Sequence, residues 1–286
     1  MKKALILYYS QAGQTEKALQ YFCRGLKESF ECDIKTFETA EVFKFPWKIS
    51  AFFRVFPRSV RGKTAATLPL NIEWSKYDLV VLGGQIWFLS LSLPLQGFLK
   101  SADAVNLRNK KVITLMTCRN LWHSASQKLK SQLFELGAEH LGQITVAETS
   151  PTWASFVTTP RWMLTGKKGP FLFFPAAGIQ QSEFEKLTSL ATNLLLPTAD
   201  SKSWAVNHKI FGSNLNKVSL KLMDGIGSKV FWFWSGLILA VAKRPGVWQD
   251  FWLLLFRLNL VLLIITIGPC TKVFELLVGN DPKYLQ

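Results

Sequence analysis

Short apolar runs alternate with segments of helical spacing along the first 148 residues. Ala4–Tyr9 is an unbroken apolar run, typical of a strand buried on both faces of a parallel sheet. Thr15–Leu26, which follows, carries apolar residues at intervals of three and four, and this predicts a helix. The same patterns predict strands at Cys32–Phe37, Tyr77–Gly84, Lys110–Thr117 and Gly142–Glu148, and helices at Leu95–Ser101, His123–Leu136 and Gln181–Leu195. We therefore expect an α/β fold with a doubly wound, five-stranded parallel sheet.

Two segments interrupt this alternation without a clean period, at 41–67 and 149–175. The first carries six basic residues, six aromatic residues and one acid. The second has a similar composition, and a long loop of this kind in a compact domain is often functional. We interpret it as a lid or substrate wall, with Arg161 and Lys167 facing an anionic group. The polar and aromatic residues behind this interpretation are Thr158, Thr159, Arg161, Trp162, Lys167 and Lys168.

The last part of the chain, 199–286, is strongly apolar and predicts a helical tail. Its two apolar stretches are 229–242 and 247–268, and the second is interrupted by Asp250 and Arg257. Neither is a clean run of about 20 apolar residues, the length that a spanning helix needs. Aromatic residues flanked by basic ones favour a helix pair lying in a membrane interface. A buried helical hairpin and a true membrane span remain the alternatives.

The positive net charge favours anionic partners but does not indicate which kind. The chain of 286 residues has 34 Lys and Arg against 19 Asp and Glu, a formal net charge of +15. Such a balance suits nucleic acid, anionic lipid or phosphorylated ligands. No nucleic-acid-binding motif accompanies it, so we expect no nucleic-acid partner. The four cysteines have no metal-binding spacing, so we expect no metal and a reducing, cytoplasmic environment.

The loop after the first strand has the composition of a phosphate cradle. In an open parallel sheet, ligands bind at the carboxyl ends of the strands. This loop combines backbone N–H groups, two hydroxyls and the N-terminus of a predicted helix, a combination that binds phosphate. Its residues are Ser10, Gln11, Ala12, Gly13, Gln14 and Thr15. An ordinary strand-to-helix turn is the alternative.

Two further loops leave the same predicted edge and complete a candidate ligand site. Trp87 follows a strand end, where its ring can stack on a planar ligand or pack under the insertions. Arg119 and Trp122 follow the next strand, where they line a pocket unless Arg119 is a surface charge. The candidate ligand-binding residues of these loops are Gln85, Ile86, Trp87, Phe88, Thr117, Cys118, Arg119, Asn120 and Trp122.

Catalytic residues are less clearly marked than binding residues. His123 titrates near neutral pH and is either a proton donor or a neighbour of a helix cap. Cys118 is interpreted as a small buried residue, with thiolate reactivity as the alternative. The candidates for catalysis are Arg119, His123 and Arg161.

These loops resemble a known family. "YYSQAGQT" resembles the phosphate loop of flavodoxin-like proteins, with Ala12 where that family usually has Thr, and "YDLVVLGGQIW" with Pro94 resembles their second flavin loop. Across 1–215, "FFRVFP", "GGQIWFLSLSLP", "TCRNLWHSA" and "TTPRWMLTGKKG" are similar to a bacterial subgroup called dialkylresorcinol condensing enzyme-like. The resemblance implies a flavodoxin-like fold over 1–198 and non-covalently bound FMN.

The resemblance also implies a function. It indicates an FMN-dependent oxidoreductase acting on a lipophilic substrate, an alkylated cyclohexanedione oxidised to an aromatic ring beside a ketosynthase-type partner. We expect a cytoplasmic protein, associated peripherally with the anionic inner face of the cytoplasmic membrane. The alternatives are a membrane-associated quinone reductase or electron carrier, and a flavin-free scaffold for a biosynthetic complex.

Overall fold

The strands follow the apolar runs of the sequence. The computed structural model describes residues 1–194, 209–211, 218–241 and 247–278. The strands are β1 Lys2–Tyr8, β2 Phe30–Thr36, β3 Leu79–Trp87, β4 Ser90–Leu91, β5 Lys111–Cys118, β6 Glu139–Ala147 and β7 Lys209–Phe211. The helices are α1 Gln14–Leu26, α2 Ile49–Val60, α3 Leu93–Leu99, α4 His123–Glu135, α5 Thr152–Thr165, α6 Gln181–Leu194, α7 Val218–Val241 and α8 Val247–Val278, with 3₁₀ turns at Trp74–Lys76 and Ala102–Leu107.

The strand order identifies the fold. Six strands lie parallel in the order β2-β1-β3-β5-β6-β7, and β4 pairs antiparallel with the end of β3. From β2 to β6 this is the 2-1-3-4-5 order of flavodoxin-like sheets, so the predicted fold class is confirmed. The predicted count of five strands is too low. β4 has two residues and β7 three, which is too short for an apolar run to reveal either of them.

Helices cover both faces of the sheet, which explains the unbroken apolar run of β1. Ala4, Ile6 and Tyr8 pack in a core with residues of α1 and α6. Leu5 and Leu7 point the other way and pack with residues of α3 and α4. Successive side chains of a strand point to opposite faces, so both faces must be apolar here.

Each insertion contains a helix, which corrects the expectation of irregular loops. α2 lies in the first insertion and α5 in the second, with Pro57 and Pro160 inside them. The aromatic residues of α2 pack in two directions. Phe52 lies against one aromatic cluster, while Phe56 is buried against the tail helices. α2 is amphipathic, but Pro57 lies inside it, and an internal proline is a sequence signal against a helix.

The tail forms a helix pair, α7 and α8, that packs on the α/β domain. α7 contacts α2 and α4, and α8 contacts α7. Asp224 of α7 is buried and accepts hydrogen bonds from the backbone N–H of Ser124 (3.0 Å) and from its hydroxyl, in the first turn of α4. Within the described ranges, no helix is long and apolar enough to cross a membrane. The boundary predicted at residue 198 stays a prediction, although β7 beyond it pairs with β6.

Candidate functional site

Hydroxyl groups join the start of α1 to β3 and β5 at the carboxyl edge of the sheet. The Thr15 and Thr117 hydroxyl oxygens lie 2.7 Å apart, and both side chains are buried. The Thr117 hydroxyl also lies 3.4 Å from the carbonyl oxygen of Gly84. These contacts bring together the start of α1 and the ends of β3 and β5. The predicted edge thus exists, and its loops converge.

The loop from Ser10 to Thr15 has an open, left-handed turn. Gly13 has φ 77°, a conformation that favours glycine, and no atom lies within 4 Å of where its Cβ would be. The Ser10 hydroxyl accepts a hydrogen bond from the Glu16 N–H (3.3 Å). The loop and the first turn of α1 thus present backbone N–H groups beside open space. That arrangement is able to hold a phosphate group.

The first insertion and the segment after the second insertion each hold one glutamine of this loop. The Gln11 side chain donates to the Phe43 carbonyl (3.2 Å) and accepts from the indole N–H of Trp47 (3.1 Å), both in the first insertion. The Gln14 side-chain oxygen accepts from the backbone N–H of Ile179 (2.9 Å), just beyond the second insertion. The loop geometry therefore depends on segments that are distant in sequence.

The second insertion also brings a cation to the loop. A Cβ built on Gly178 would lie 2.9 Å from Gln14 Oε1 and 3.4 Å from Lys168 Nζ, so these two atoms flank the same point. Burial lowers the pKa of Lys168, and the nearby charge of Lys17 lowers it further. The charge of Glu148 offsets part of this effect, and a bound anion would offset more of it.

Trp87 packs inside an aromatic cluster. Its ring makes edge contacts with Trp47 (centroid distance 5.6 Å), Phe43 (5.3 Å) and Tyr9 (6.3 Å), and only 9% of the side chain is exposed. This arrangement corresponds to packing under the first insertion, the alternative to ligand stacking. Gln85, Ile86 and Trp87 belong to β3 itself because the strand runs past the predicted loop start.

The turn after β3 is held in an unusual backbone conformation. Phe88 and Leu89 have φ 51° and 58°, values that non-glycine residues adopt only at a cost. The Ser59 hydroxyl of α2 donates to the carbonyls of Trp87 (3.2 Å) and Leu91 (3.0 Å), on either side of this turn. The first insertion thus fixes the second candidate loop as well as the first.

The end of β5 carries a buried amide without partners. Asn120 is 5% exposed, and among the described residues neither its Oδ1 nor its Nδ2 has a hydrogen-bond partner. The buried Oε1 of Gln85, at the end of β3, likewise has none there. Buried polar groups are nearly always satisfied, so these two amides fit a bound ligand with polar groups. Both residues were predicted to bind ligand.

The other residues of the β5 loop differ in how reactive they are. Burial raises the pKa of the Cys118 thiol, which favours the inert interpretation over a reactive thiolate. Burial lowers the pKa of Arg119 to about 10, and its guanidinium lies 4.0 Å from the ring centroid of Phe156. Burial also lowers the pKa of His123, whose ring stacks on Trp122 at 3.9 Å. His123 is therefore neutral at pH 7.

Arg161 supports the loop that follows α5. Its guanidinium donates to the carbonyls of Lys167 (3.1 Å) and Gly169 (3.0 Å) and lies over the ring of Phe171. Lys167 is exposed, whereas its neighbour Lys168 is half-buried beside the loop from Ser10 to Thr15. Of the cations in this insertion, Lys168 thus has the position that was expected of Arg161 and Lys167.

Sequence reasoning missed Glu148, a buried carboxylate directly after β6. It accepts hydrogen bonds from the Gly178 N–H (3.1 Å), the Thr158 hydroxyl (3.5 Å) and the Thr159 hydroxyl. Its charge also acts on Arg119 and Lys168 and opposes the lowering of their pKa. The available signal was an acid that ends a buried apolar run, at the edge where ligands bind. Within the described residues, no group of His, Cys, Asp and Glu lies together in a way that could hold a metal.

Comparisons with known proteins complete the description of the site. No protein-family model matches the sequence, and no curated protein matches it either. Among solved structures, a flavoprotein from Lactobacillus acidophilus in complex with FMN is similar, at 21% identity and TM-score 0.42, over 51% of this chain and 93% of that one. A flavodoxin from the domain Archaea has 10% identity and TM-score 0.37 over 67% and 94%. A flavodoxin, WrbA-like protein from Agrobacterium tumefaciens has 9% and 0.36 over 68% and 94%.

Proposed function

We propose that this chain is an FMN-binding redox protein that acts on a lipophilic ring substrate. One observation carries the proposal. At the edge where three strand ends meet, Asn120 and Gln85 bury amide atoms that have no partner among the described residues. A flavin ring offers carbonyl and N–H groups that match such amides, and its phosphate matches the loop from Ser10 to Thr15.

Different residues would bind the different parts of the cofactor. Backbone N–H groups of the Ser10–Thr15 loop would hold the phosphate, and Lys168 would add a charge beside it. The ring would lie between the turn at Phe88 and the loop from Thr117 to Trp122. The Trp47 and Trp87 cluster would shield one side of the site from water without stacking on the ring.

The chemistry would come from the cofactor, while the protein orients the substrate. When bound, FMN would supply the two-electron acceptor that aromatisation of a cyclohexanedione requires. Loss of two electrons and two protons would convert an alkylated cyclohexanedione to a resorcinol, which the resemblance to the dialkylresorcinol subgroup supports. Arg119, directly after β5, and Glu148, directly after β6, are charged groups that would orient a polar ring substituent.

The setting we propose is the inner face of the cytoplasmic membrane, where a lipophilic substrate would partition. A ketosynthase-type enzyme that builds the dione is the partner this chemistry needs. The protein would then carry out the redox step that follows carbon–carbon condensation.

The test is the visible absorbance of the purified full chain, with released chromophore identified by mass. We expect stoichiometric FMN in the wild type. Asn120→Leu should reduce flavin content, whereas Asn106→Leu, at an exposed asparagine in the 3₁₀ turn before β5, should leave it unchanged. A colourless wild type that takes up no added FMN would overturn the proposal and bring the scaffold alternative forward. Reduction of the bound flavin by an alkylated cyclohexanedione supports the proposed reaction, whereas no reduction by the dione together with reoxidation of the reduced flavin by a quinone would favour the quinone reductase.

A further inference from the structure

The outer side of α8 is an apolar stripe that nothing in the described structure covers. Exposed apolar side chains recur at three- and four-residue intervals, which places them on one side of the helix. They are Trp248, Phe251, Leu254, Leu258, Val261, Leu262 and Ile265, each between 45% and 64% exposed. From Trp248 to Ile265 the stripe extends about 25 Å at 1.5 Å per residue.

α7 carries a second stripe of the same kind. Leu222, Ile226 and Phe233 are exposed, and Lys229, between the last two, is exposed in line with them. The opposite side of each helix is packed. Phe231 and Ile238 of α7, and Leu253 and Phe256 of α8, are buried against Phe56 and Val60 of α2. The helix pair thus has one face bound to the protein and another apolar face without a partner in it.

Charge distinguishes the possible occupants of this face. Of the two acids between residues 218 and 266, Asp250 pairs with Arg54 (3.2 Å) and Asp224 is buried on Ser124. The sequence adds Lys221, Lys229, Lys243 and Arg244 to the same segment, whereas Arg257 lies over the ring of Phe53 on the packed side. A second copy of this chain would bring the same bases face to face, because a two-fold interface pairs identical patches. An anionic lipid surface instead complements both the bases and the apolar stripe.

We propose that the outer faces of α7 and α8 dock on the surface of a bilayer containing anionic lipid. The stripe enters the interface side-on, with Trp232, Phe233, Trp248 and Phe251 at the level of the headgroups, where aromatic side chains are favoured. The helices lie along the membrane and do not cross it. Binding therefore depends on both apolar contact and salt-sensitive charge.

A continuous aromatic path runs through the protein interior to the candidate site from the packed side of α8, opposite the docked face. Phe256 stacks on Phe56 (centroid distance 4.0 Å), Phe56 contacts Phe88 (5.4 Å), Phe88 contacts Phe52 (4.7 Å) and Phe52 contacts Trp47 (5.8 Å). This consequence rests on the proposed function. The docked helix pair, packed on the domain through these rings, would hold the candidate site near the bilayer that a lipophilic substrate leaves.

Vesicle co-sedimentation of the full chain tests the docking. We compare phosphatidylcholine vesicles with vesicles that also contain phosphatidylglycerol, at low and high salt. The double variant Phe251→Ser, Leu258→Ser removes two stripe residues without changing charge and should weaken partitioning roughly tenfold or more. Phe134→Ser, which removes an aromatic residue that is 84% exposed on α4, should bind as the wild type does. Circular dichroism and thermal unfolding check that each variant folds.

The outcomes separate docking from the proposed function. Binding that needs phosphatidylglycerol, weakens with salt and is lost in the double variant supports the proposal. No vesicle binding by wild type, or equal binding by the double variant, overturns it. A dimer that ultracentrifugation detects in wild type but not in the double variant, without vesicle binding, assigns the face to a second copy and also overturns it. Flavin content measured on the same samples tests the proposed function separately.

Discussion

The two insertions frame the same loop, yet they do so with different chemistry. The first, around α2, is an aromatic wall. It holds Gln11 through Trp47 and buries Phe56 between the domain and the tail helices. The second, around α5, is a polar wall that contributes Lys168 and surrounds Glu148 with donors. The two insertions are therefore similar in composition but different in role: the first provides packing, and the second provides charge.

Removing a buried aromatic from the first insertion should have the largest effect. Phe56 is fully buried and contacts Phe88, Phe231 and Phe256. Phe56→Ala should lower the free energy of unfolding by about 3–5 kcal/mol, because it leaves a cavity. Trp153→Ala removes an exposed aromatic from the second insertion and should cost less than about 1 kcal/mol. Denaturant unfolding measures both, and equal losses would contradict the contrast.

A charge-neutralising change should cost more stability beside the second insertion than in the first. Glu148→Gln keeps the shape of the side chain but replaces an acceptor by an amide N–H₂ facing three donors. We expect a loss of about 1–3 kcal/mol in the free energy of unfolding. Glu41→Gln in the first insertion breaks only a partly exposed pair with Arg58 and should cost about 0–1 kcal/mol. If the Glu41 variant proved the less stable of the two, the polar role of the second insertion would be wrong.

Removing either glutamine hydrogen bond of the Ser10–Thr15 loop should have a smaller effect on stability, similar in size for the two bonds. Trp47→Phe removes the indole donor to Gln11, and Gln14→Met removes the acceptor for the Ile179 N–H. Each should cost about 1 kcal/mol of stability. Hydrogen exchange at the amides of the Ser10–Thr15 loop should become faster in both variants. Unchanged exchange in either one would mean that the corresponding insertion does not hold the loop.

The smallest expected effect concerns Lys168 and distinguishes charge from packing. Lys168→Gln should weaken FMN binding about threefold to tenfold and leave riboflavin binding unchanged, since only FMN carries a phosphate. Lys167→Gln, at the exposed neighbouring position, is the matched control and should change neither. Fluorescence titration of added flavin gives all four affinities. Equal losses for FMN and riboflavin would assign Lys168 a purely structural role.

The same lysine predicts a dependence on pH. The pKa of Lys168 is lowered by burial and by Lys17, so its charge is lost at lower pH than that of an ordinary lysine. FMN affinity of the wild type should therefore fall as the pH rises in the alkaline range. In Lys168→Gln this decrease should be absent or reduced. Titrations at neutral and alkaline pH, with riboflavin as reference, measure the difference.

The sheet and its edge were predictable because local patterns specify them. The apolar run of β1 and the turn at Gly13 each reflect constraints within a few residues, and both occur where expected. α2 was not predicted, since Pro57 inside it is a local signal against a helix. Glu148 was missed, and Lys168 was named without its role at the loop, because both positions depend on Gly178, which lies 30 and 10 residues further along the chain. Trp87 has the right place for a ligand contact, but the first insertion, distant in sequence, encloses it.

The bond between Asp224 and Ser124 bears on how the chain is made. The helix that leads out of the β5 loop receives its N-terminal cap from a residue synthesised 100 positions later. Emerging from the ribosome, the α/β domain would pair its strands before that cap exists, because domains begin to fold during synthesis. The loop from Thr117 to Trp122 would become ordered only when α7 has been completed. Assembly of the candidate site would thus be among the last events of biosynthesis, and nascent chains that stop before α7 would lack it.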